Sequence, residues 1–296
     1  MVSPGALLLD KPEDVTSFGA LSAVKRTFGT KKVGHTGTLD RFATGLLVVL
    51  LGRATRLADL ASAQSKSYDV QVLFGSETDT LDPTGAVVAE GGIPSASEVA
   101  KVLADFTGEI EQVPPSYSAV HVAGRRASDL VRAGESPVLD ARPVRVDELE
   151  LLAMDGARAH FRIVSGKGFY VRSFARDLAR ALGTAAHVLS LRRTRVGSFS
   201  VHDAVPPEDL RADRDMMSLG EFLARIDDLA FVEVESRYEN LIRNGAPLEE
   251  RFVTSGVPDA SYLGLRNEAG SVLAVAERVR GVGQEGRRFR YRVVFS

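Results

Sequence analysis

One carboxylate in this sequence stands apart from the rest. Asp40 lies in Gly34-His-Thr-Gly-Thr-Leu-Asp-Arg-Phe-Ala-Thr-Gly45, where three glycines and three threonines surround a single acid. Such a stretch is poor core material, and glycines let a backbone turn sharply or approach a ligand closely. A lone Asp held there, next to the apolar run at 46–51, has the chemistry of a nucleophile or a general base. A turn in which Asp40 only caps backbone amides fits the same spacing. A hydrolase with paired carboxylates would need a second acid nearby. Asp79 and Asp82 are available, but with Pro83 and Gly85 they read as turn formers. Tyr68, Tyr117 and Tyr170 lie on or beside expected strands. Each can be a half-buried strand residue, or a surface on which an extruded base stacks.

Other chemistries find no residues to carry them. The chain has 296 residues and no cysteine, which excludes thiol catalysis, disulfides and Cys-ligated zinc. Its five histidines, at 35, 121, 160, 187 and 202, form no close pair, and no Asp/Glu/His cluster has ligand spacing, so no metal site is expected. There is no P-loop and no GxGxxG, hence no nucleotide cofactor is expected. The longest apolar run, 46–51, is far short of the ~18 residues of a membrane span. The N-terminus has no basic n-region, so no secretion signal is read and a cytoplasmic location is expected.

The net charge of −2 hides an asymmetry. Residues 158–195 hold nine Lys/Arg and one acid, Asp177. Residues 203–250 hold thirteen acids and five arginines. A basic stripe attracts phosphate and makes binding salt-sensitive, although a solvated face has the same composition.

These residues need elements to position them. At ~150 residues per domain the length suggests about two domains. Leu7-Leu-Leu reads as a buried strand. Thr16-Ser17 offers an N-cap for a helix with Phe18, Leu21, Val24 and Phe28 along one side and Gly29 as its stop. Residues 46–51 and 67–74 read as strands, and Ser95 with Glu98 as a capping box before a helix. Val113-Pro-Pro-Ser-Tyr is a rigid extended segment. Residues 158–164 alternate like a strand. A helix follows Gly166-Lys-Gly168, with Val171, Phe174, Ala175, Leu178 and Leu182 buried and Arg172, Arg176 and Arg180 along one side. After Pro206-Pro207 the pattern changes. Strands over 271–279 and 288–295 suggest a small β-rich second domain. The pattern alone supports α+β.

Several blocks together resemble a known family. They are Asp10-Lys-Pro12 with Thr16-Ser17; Gly34-His-Thr-Gly-Thr-Leu-Asp40 with Ala43-Thr-Gly45; Ser65-Lys-Ser-Tyr68; Gln112-Val-Pro-Pro-Ser-Tyr-Ser-Ala119 with Gly124-Arg125; and Gly166-Lys-Gly-Phe-Tyr-Val-Arg172 with Ala175-Arg-Asp-Leu178 and His187 to Arg193. Their order over about residues 7–200 resembles that of the bacterial tRNA pseudouridine synthase B family. The C-terminal part matches less clearly and resembles, by position, the PUA-like RNA-binding domain of these enzymes. The resemblance implies a mixed, mostly antiparallel sheet with packed helices over residues 1–228, crossed by an active-site cleft. It also implies a small β-barrel-like domain over 229–296. The implied reaction converts uridine 55 in the tRNA T-loop to pseudouridine by base flipping, with no cofactor and no metal. tRNA, through its T-stem and T-loop, is the implied partner. Neither a membrane nor an obligatory protein partner is expected, and the chain should act as a monomer.

The resemblance also assigns roles. Asp40 falls on the catalytic aspartate, Arg172 on the arginine that pairs with it, and Tyr68 on the tyrosine that stacks on the target base and is a candidate for taking the C5 proton. A guanidinium holds a carboxylate in a fixed bidentate orientation. Tyr170 and Leu191 fall on the base pocket, and His35 on a position that inserts into the T-loop. Lys11 and Pro12 border the site, and Gly37, Thr38 and Leu39 line the substrate loop. Arg41, Lys167, Arg176, Arg192 and Arg193 are the expected contacts to the RNA backbone. The sequence departs from the family pattern at Arg41, where proline is usual, and at His121, Ser128 and Phe169. Competing readings are an RNA-binding module that has lost catalysis, a guide-RNA-dependent relative, and a glycoside or nucleoside hydrolase. Retention of Asp40, Tyr68 and Arg172 argues against the first, and the absence of basic tails against the second. The basic stripe and the second domain argue against the third.

Overall fold

The computed structural model describes residues 2–254, 256–279 and 289–295. The first elements of the chain include helix α1 (Ser17–Thr27) and strands β1 (Gly5–Lys11), β2 (Val33–His35), β3 (Thr44–Leu51) and β4 (Lys66–Phe74). The four strands belong to a ten-stranded sheet in the order Met217–Ser218, β1, β3, Ala186–Val196, β4, Arg158–Ser165, Arg142–Asp155, Gly108–Gln112. β2 pairs with β3, and Phe199–Ser200 with Ala186–Val196. Every pairing is antiparallel except that of β3 with Ala186–Val196, where Arg192 faces Thr44 and Arg193 faces Gly45. The mixed, mostly antiparallel sheet with packed helices is as expected.

The apolar run in β3 has a simple cause. Leu46, Val48 and Leu50 pack with Phe199, Phe222, Val275 and Phe295 on one face. Leu47, Val49 and Leu51 pack with Ala20, Leu21 and Val24 of α1 on the other. A strand covered on both faces has no position for a polar residue. β4 is covered on one face only, and there Tyr68, Val70, Val72 and Phe74 join Phe161, Phe174 and Leu178 in the largest core. Its other face carries Asp69 and Gln71, hence the alternation.

α1 starts where Thr16 accepts a hydrogen bond from the Gly19 amide (2.9 Å), and Lys25 and Arg26 sit in its last turn, where cations suit the helix dipole. Phe18 departs from the expected apolar side. It is 68% exposed, with the Lys25 ammonium 4.2 Å from its ring centre, because α1 meets β3 through Ala20, Leu21 and Val24. The capping box at Ser95 and Glu98 forms as expected.

A second sheet begins at Leu229, with strands Leu229–Glu233, Tyr262–Arg266, Val272–Arg278 and Phe289–Val294 in spatial order. Among the described residues it is an open sheet rather than a closed barrel. One face joins the core beneath β3, and the other packs on Ile242 and Phe252. Of the expected last strand, Arg288 lies outside the described residues. Among the described residues, no helix is long and apolar enough to cross a membrane.

Candidate active site

Asp40 follows β2 in the loop that returns the chain to β3. Its carboxylate accepts two hydrogen bonds from Arg172, at the start of helix Val171–Ala181: Nε to Oδ2 (2.8 Å) and Nη2 to Oδ1 (3.0 Å). The pair is asymmetric. The Arg172 side chain is 5% exposed, whereas that of Asp40 is 36% exposed. Arg172 also donates from Nη1 to the Thr80 carbonyl and from Nη2 to the Tyr117 carbonyl, both at 2.9 Å. One guanidinium thus ties together the Asp40 loop, the turn at 79–85 and the segment after Pro115. A planar fork of fixed donors suits this task.

Asp82 is a turn former, as expected. Its Oδ1 accepts from the Thr80 hydroxyl, the Thr84 amide and the Thr84 hydroxyl, at 2.6–3.0 Å, which fixes the turn that offers Thr80 O to Arg172.

The start of the Arg172 helix is pinned from the sheet edge. Tyr170, its N-cap, makes no side-chain capping bond. Buried Gln112 serves instead, accepting from the Tyr170 amide (2.8 Å) and donating to the Tyr170 carbonyl (3.1 Å). Ser173 and Arg176 both donate to the Val113 carbonyl at 2.8 Å.

Tyr68 and Arg193 are cross-strand partners. Burial pushes the Tyr68 phenol up, against the pull of Arg193, and Asp40 adds to the rise. Burial raises the Tyr170 phenol as well, against Arg172 and Arg142. Both rings therefore hold their protons at neutral pH. Leu39 and Leu191 are buried in the same core as Tyr68. Gly37 presents its carbonyl to Arg193 Nη2 (3.1 Å). Thr38 and Pro12 are exposed. His35 is half-buried, and burial and then Arg193 push its imidazole below the usual value. Its Nδ1 is buried with no hydrogen-bond partner among the described residues.

Lys11 is expected at the border of the site but lies inside the protein at 0% exposure. Its ammonium donates to the carbonyls of Pro12 (2.8 Å), Val15 (2.6 Å) and Arg41 (3.2 Å), bracing the Asp40 loop. Burial pushes the amine down to about 8, against the pull of Asp40, Asp14 and Glu13.

The expected RNA-backbone contacts divide. Arg41 and Lys167 are exposed, with Arg41 Nε donating to the Asp14 carbonyl (3.0 Å). Arg193 is 3% exposed and donates to Leu46 O and Gly37 O, with a further side-chain hydrogen bond to Tyr68, and Arg176 is 8% exposed and pairs with Asp177 as well as Val113 O. Both are engaged inside the protein, and Arg176→Ala should cost stability rather than salt dependence. Arg192 is held bidentately by Asp10 at 3.0 and 2.7 Å. It faces Asp69 across the sheet, and Asp69 faces Arg162, whereas Arg193, Tyr68 and Ile163 form the neighbouring row. Adjacent rows point to opposite faces. The basic stripe is therefore not one surface: Arg162 and Arg192 lie on the sheet face away from Tyr68.

Ser17, Gln112 and the carbonyls of Thr80 and Tyr117 are positioning groups that residue types did not single out. The signal for Ser17 is its place beside Thr16, since one hydroxyl suffices for the cap. Gly45 had a signal in its loop, and its reason is now geometric. With φ +103°, a Cβ there would lie 2.3 Å from the Arg193 carbonyl oxygen. Gly45→Ala should cost about 3 kcal/mol in chemical denaturation, through backbone strain and loss of the β3 crossing. A loss below about 1 kcal/mol would mean that the crossing can yield.

The chain is similar over most of its length to characterised families. Residues 25–171 match the family described as TruB family pseudouridylate synthase (N terminal domain). Residues 172–227 match the tRNA pseudouridylate synthase B C-terminal domain. The chain is 41% identical over 266 residues to tRNA pseudouridine synthase B of Gluconacetobacter diazotrophicus, covering 86% of each chain. It is 37% identical over 294 residues to the protein of that name from Borreliella burgdorferi strain ZS7, covering 98% of this chain and 99% of that one. Its fold matches a structure described as a Cbf5-Nop10-Gar1 complex, with TM-score 0.75 and 22% identity over 99% of this chain and 85% of that one. Fold and matches place the chain among the pseudouridine synthases, isomerases of RNA uridines. Within that class it belongs to the TruB family of tRNA pseudouridine synthases.

Proposed function

We propose that this chain converts uridine 55 in the T-loop of tRNA to pseudouridine, with Asp40 as the catalytic carboxylate. One observation carries the reading: Asp40 is fixed bidentately by buried Arg172, yet keeps a third of its side chain open and lies near enough to Tyr68 for its charge to raise the phenol. A rigid, partly open carboxylate against an aromatic wall suits a flipped base, whose extrusion costs a few kcal/mol. The C1′–N1 bond breaks, the base turns, and a C1′–C5 bond forms. C5 gives up a proton and N1 gains one, so atoms and electrons balance without oxidant or cofactor. Attack on the sugar, attack on the base and removal of a sugar proton all use the Asp40 carboxylate. Tyr68 is read as the ring on which the target base stacks and as the candidate for taking the C5 proton. Tyr170 and Leu191 close the base pocket, and His35, with Gly37 and Thr38, meets the unstacked loop. The second domain, over 229–296, would grip the rest of the RNA.

The chain is read as acting alone and as a monomer in the cytoplasm, so purified protein is the right test material. It is incubated with unmodified tRNA transcript, and pseudouridine is mapped by carbodiimide adducts that arrest reverse transcription. One new arrest in the T-loop at position 55 is expected. An arrest elsewhere, or none, would overturn the assignment.

The exposed cations give a further expectation. Arg41→Ala and Lys167→Ala should each raise KM for tRNA a few-fold. Each should also reduce the slope of log affinity against log salt by about 0.7–0.9, one phosphate contact. An unchanged slope removes that residue from the footprint.

A further inference from the structure

Asp40 is restrained on three sides. Arg172 holds its carboxylate, Lys11 holds the carbonyl of Arg41 after it, and Ser17 holds Leu39 before it. The Ser17 contact is reciprocal: Oγ accepts from the Leu39 amide at 2.8 Å and donates to the Leu39 carbonyl at 3.0 Å. Ser17 is 3% exposed and Leu39 4% exposed, so no water competes readily for either bond. Serine at a helix start ordinarily bonds its own backbone as a cap. Here Thr16 caps α1 through the Gly19 amide, and the Ser17 hydroxyl spends both its donor and its acceptor on a peptide 22 residues away. With both polar groups of Leu39 fixed, the next residue starts from a fixed backbone frame.

We infer that Ser17 is a positioning residue for the reaction: its hydroxyl sets the backbone from which Asp40 projects, and so aims the carboxylate that Arg172 then orients. Ser17 touches no substrate. The inference rests on the proposed role of Asp40. Misplacement of a reacting group by about 1 Å costs on the order of 100-fold in rate.

The test compares Ser17→Ala with Thr16→Ala, which weakens the same helix start without touching Leu39. Tritium release from C5-labelled uridine in tRNA is followed under saturating and sub-saturating conditions, and each variant is melted. Ser17→Ala is expected to lower kcat about 10–100-fold with KM within twofold of wild type. Thr16→Ala is expected to melt earlier and keep kcat within twofold. Equal losses of kcat in the two, an unchanged kcat in Ser17→Ala, or a rise in KM alone would each overturn the inference. Should Ser17→Ala fail to melt cooperatively, Ser17→Cys decides. It keeps the side-chain shape at a slightly larger volume but replaces the hydroxyl with a weak donor, and kcat within twofold of wild type would overturn the inference. If wild type releases no tritium, the functional reading fails and the clamp is read directly from the Arg172 Nε proton. Its protection from exchange is then expected to fall in Ser17→Ala and persist in Thr16→Ala. Equal protection in the two would overturn the inference.

Discussion

Asp40→Asn is expected to lower turnover by about four orders of magnitude or more, the scale seen when a group that acts as a unit with its partners is removed. Binding should respond quite differently. The exposed cations Arg41 and Lys167 are untouched by the change, so affinity for tRNA should stay within a few-fold. The substitution also has a structural cost. The asparagine oxygen can accept one bond from Arg172, but its NH2 group meets the second N–H donor where Asp40 offered an oxygen. Stability should fall by about 1–3 kcal/mol, less than for a fully buried pair because Asp40 is partly wet. Stopped-flow mixing with labelled tRNA, single-turnover assays and denaturant melts separate the three effects. A parallel loss of affinity and turnover would instead identify a folding defect.

Arg172→Lys carries the second-largest expected effect. It keeps the charge and loses the fork. Arg172 makes four hydrogen bonds, two to Asp40 and one each to the Thr80 and Tyr117 carbonyls. An ammonium has three donors on one atom and cannot span these acceptors. At least one of the four part-buried acceptors is left unpaired, for a stability loss of about 1–3 kcal/mol. The carboxylate is no longer held bidentately, and turnover should fall about 100-fold. The comparison with Asp40→Asn is informative: Arg172→Lys should retain measurable activity at a melting temperature as low or lower. Turnover within twofold of wild type would show that Asp40 needs no orientation by Arg172.

Much of the architecture could be read from residue patterns because it follows from burial. The unbroken Leu46–Leu51 run reflects two covered faces, and the alternation through Tyr68, Val70, Val72 and Phe74 one covered face. The acidic turn at Asp82 and the capping box at Ser95 were legible because their bonds are local. Long-range polar contacts left no such trace. Nothing in the spacing of Arg172, Arg176 and Arg180 says that the first two are buried struts and that the third is exposed and faces Glu77. Charge counted along the chain also merged surfaces that strand alternation separates, with Arg162 and Arg192 on one face and Arg193 buried on the other. Phe18 misled for a related reason: helical spacing defines a side of α1 but not how far toward its end the sheet reaches. The second sheet shares a core with the first, an arrangement that composition does not reveal.

The most direct test is tritium release from C5-labelled uridine in an unmodified tRNA transcript, by purified wild type beside Asp40→Asn, with no cofactor added and EDTA present. Release by wild type alone, stoichiometric with one T-loop uridine, is the expected result and places Asp40 at the centre of the reaction. Release by both proteins would remove Asp40 from the chemistry. Binding of the tRNA by both without release from either would make this chain an RNA-binding module, with Arg41 the first position to suspect.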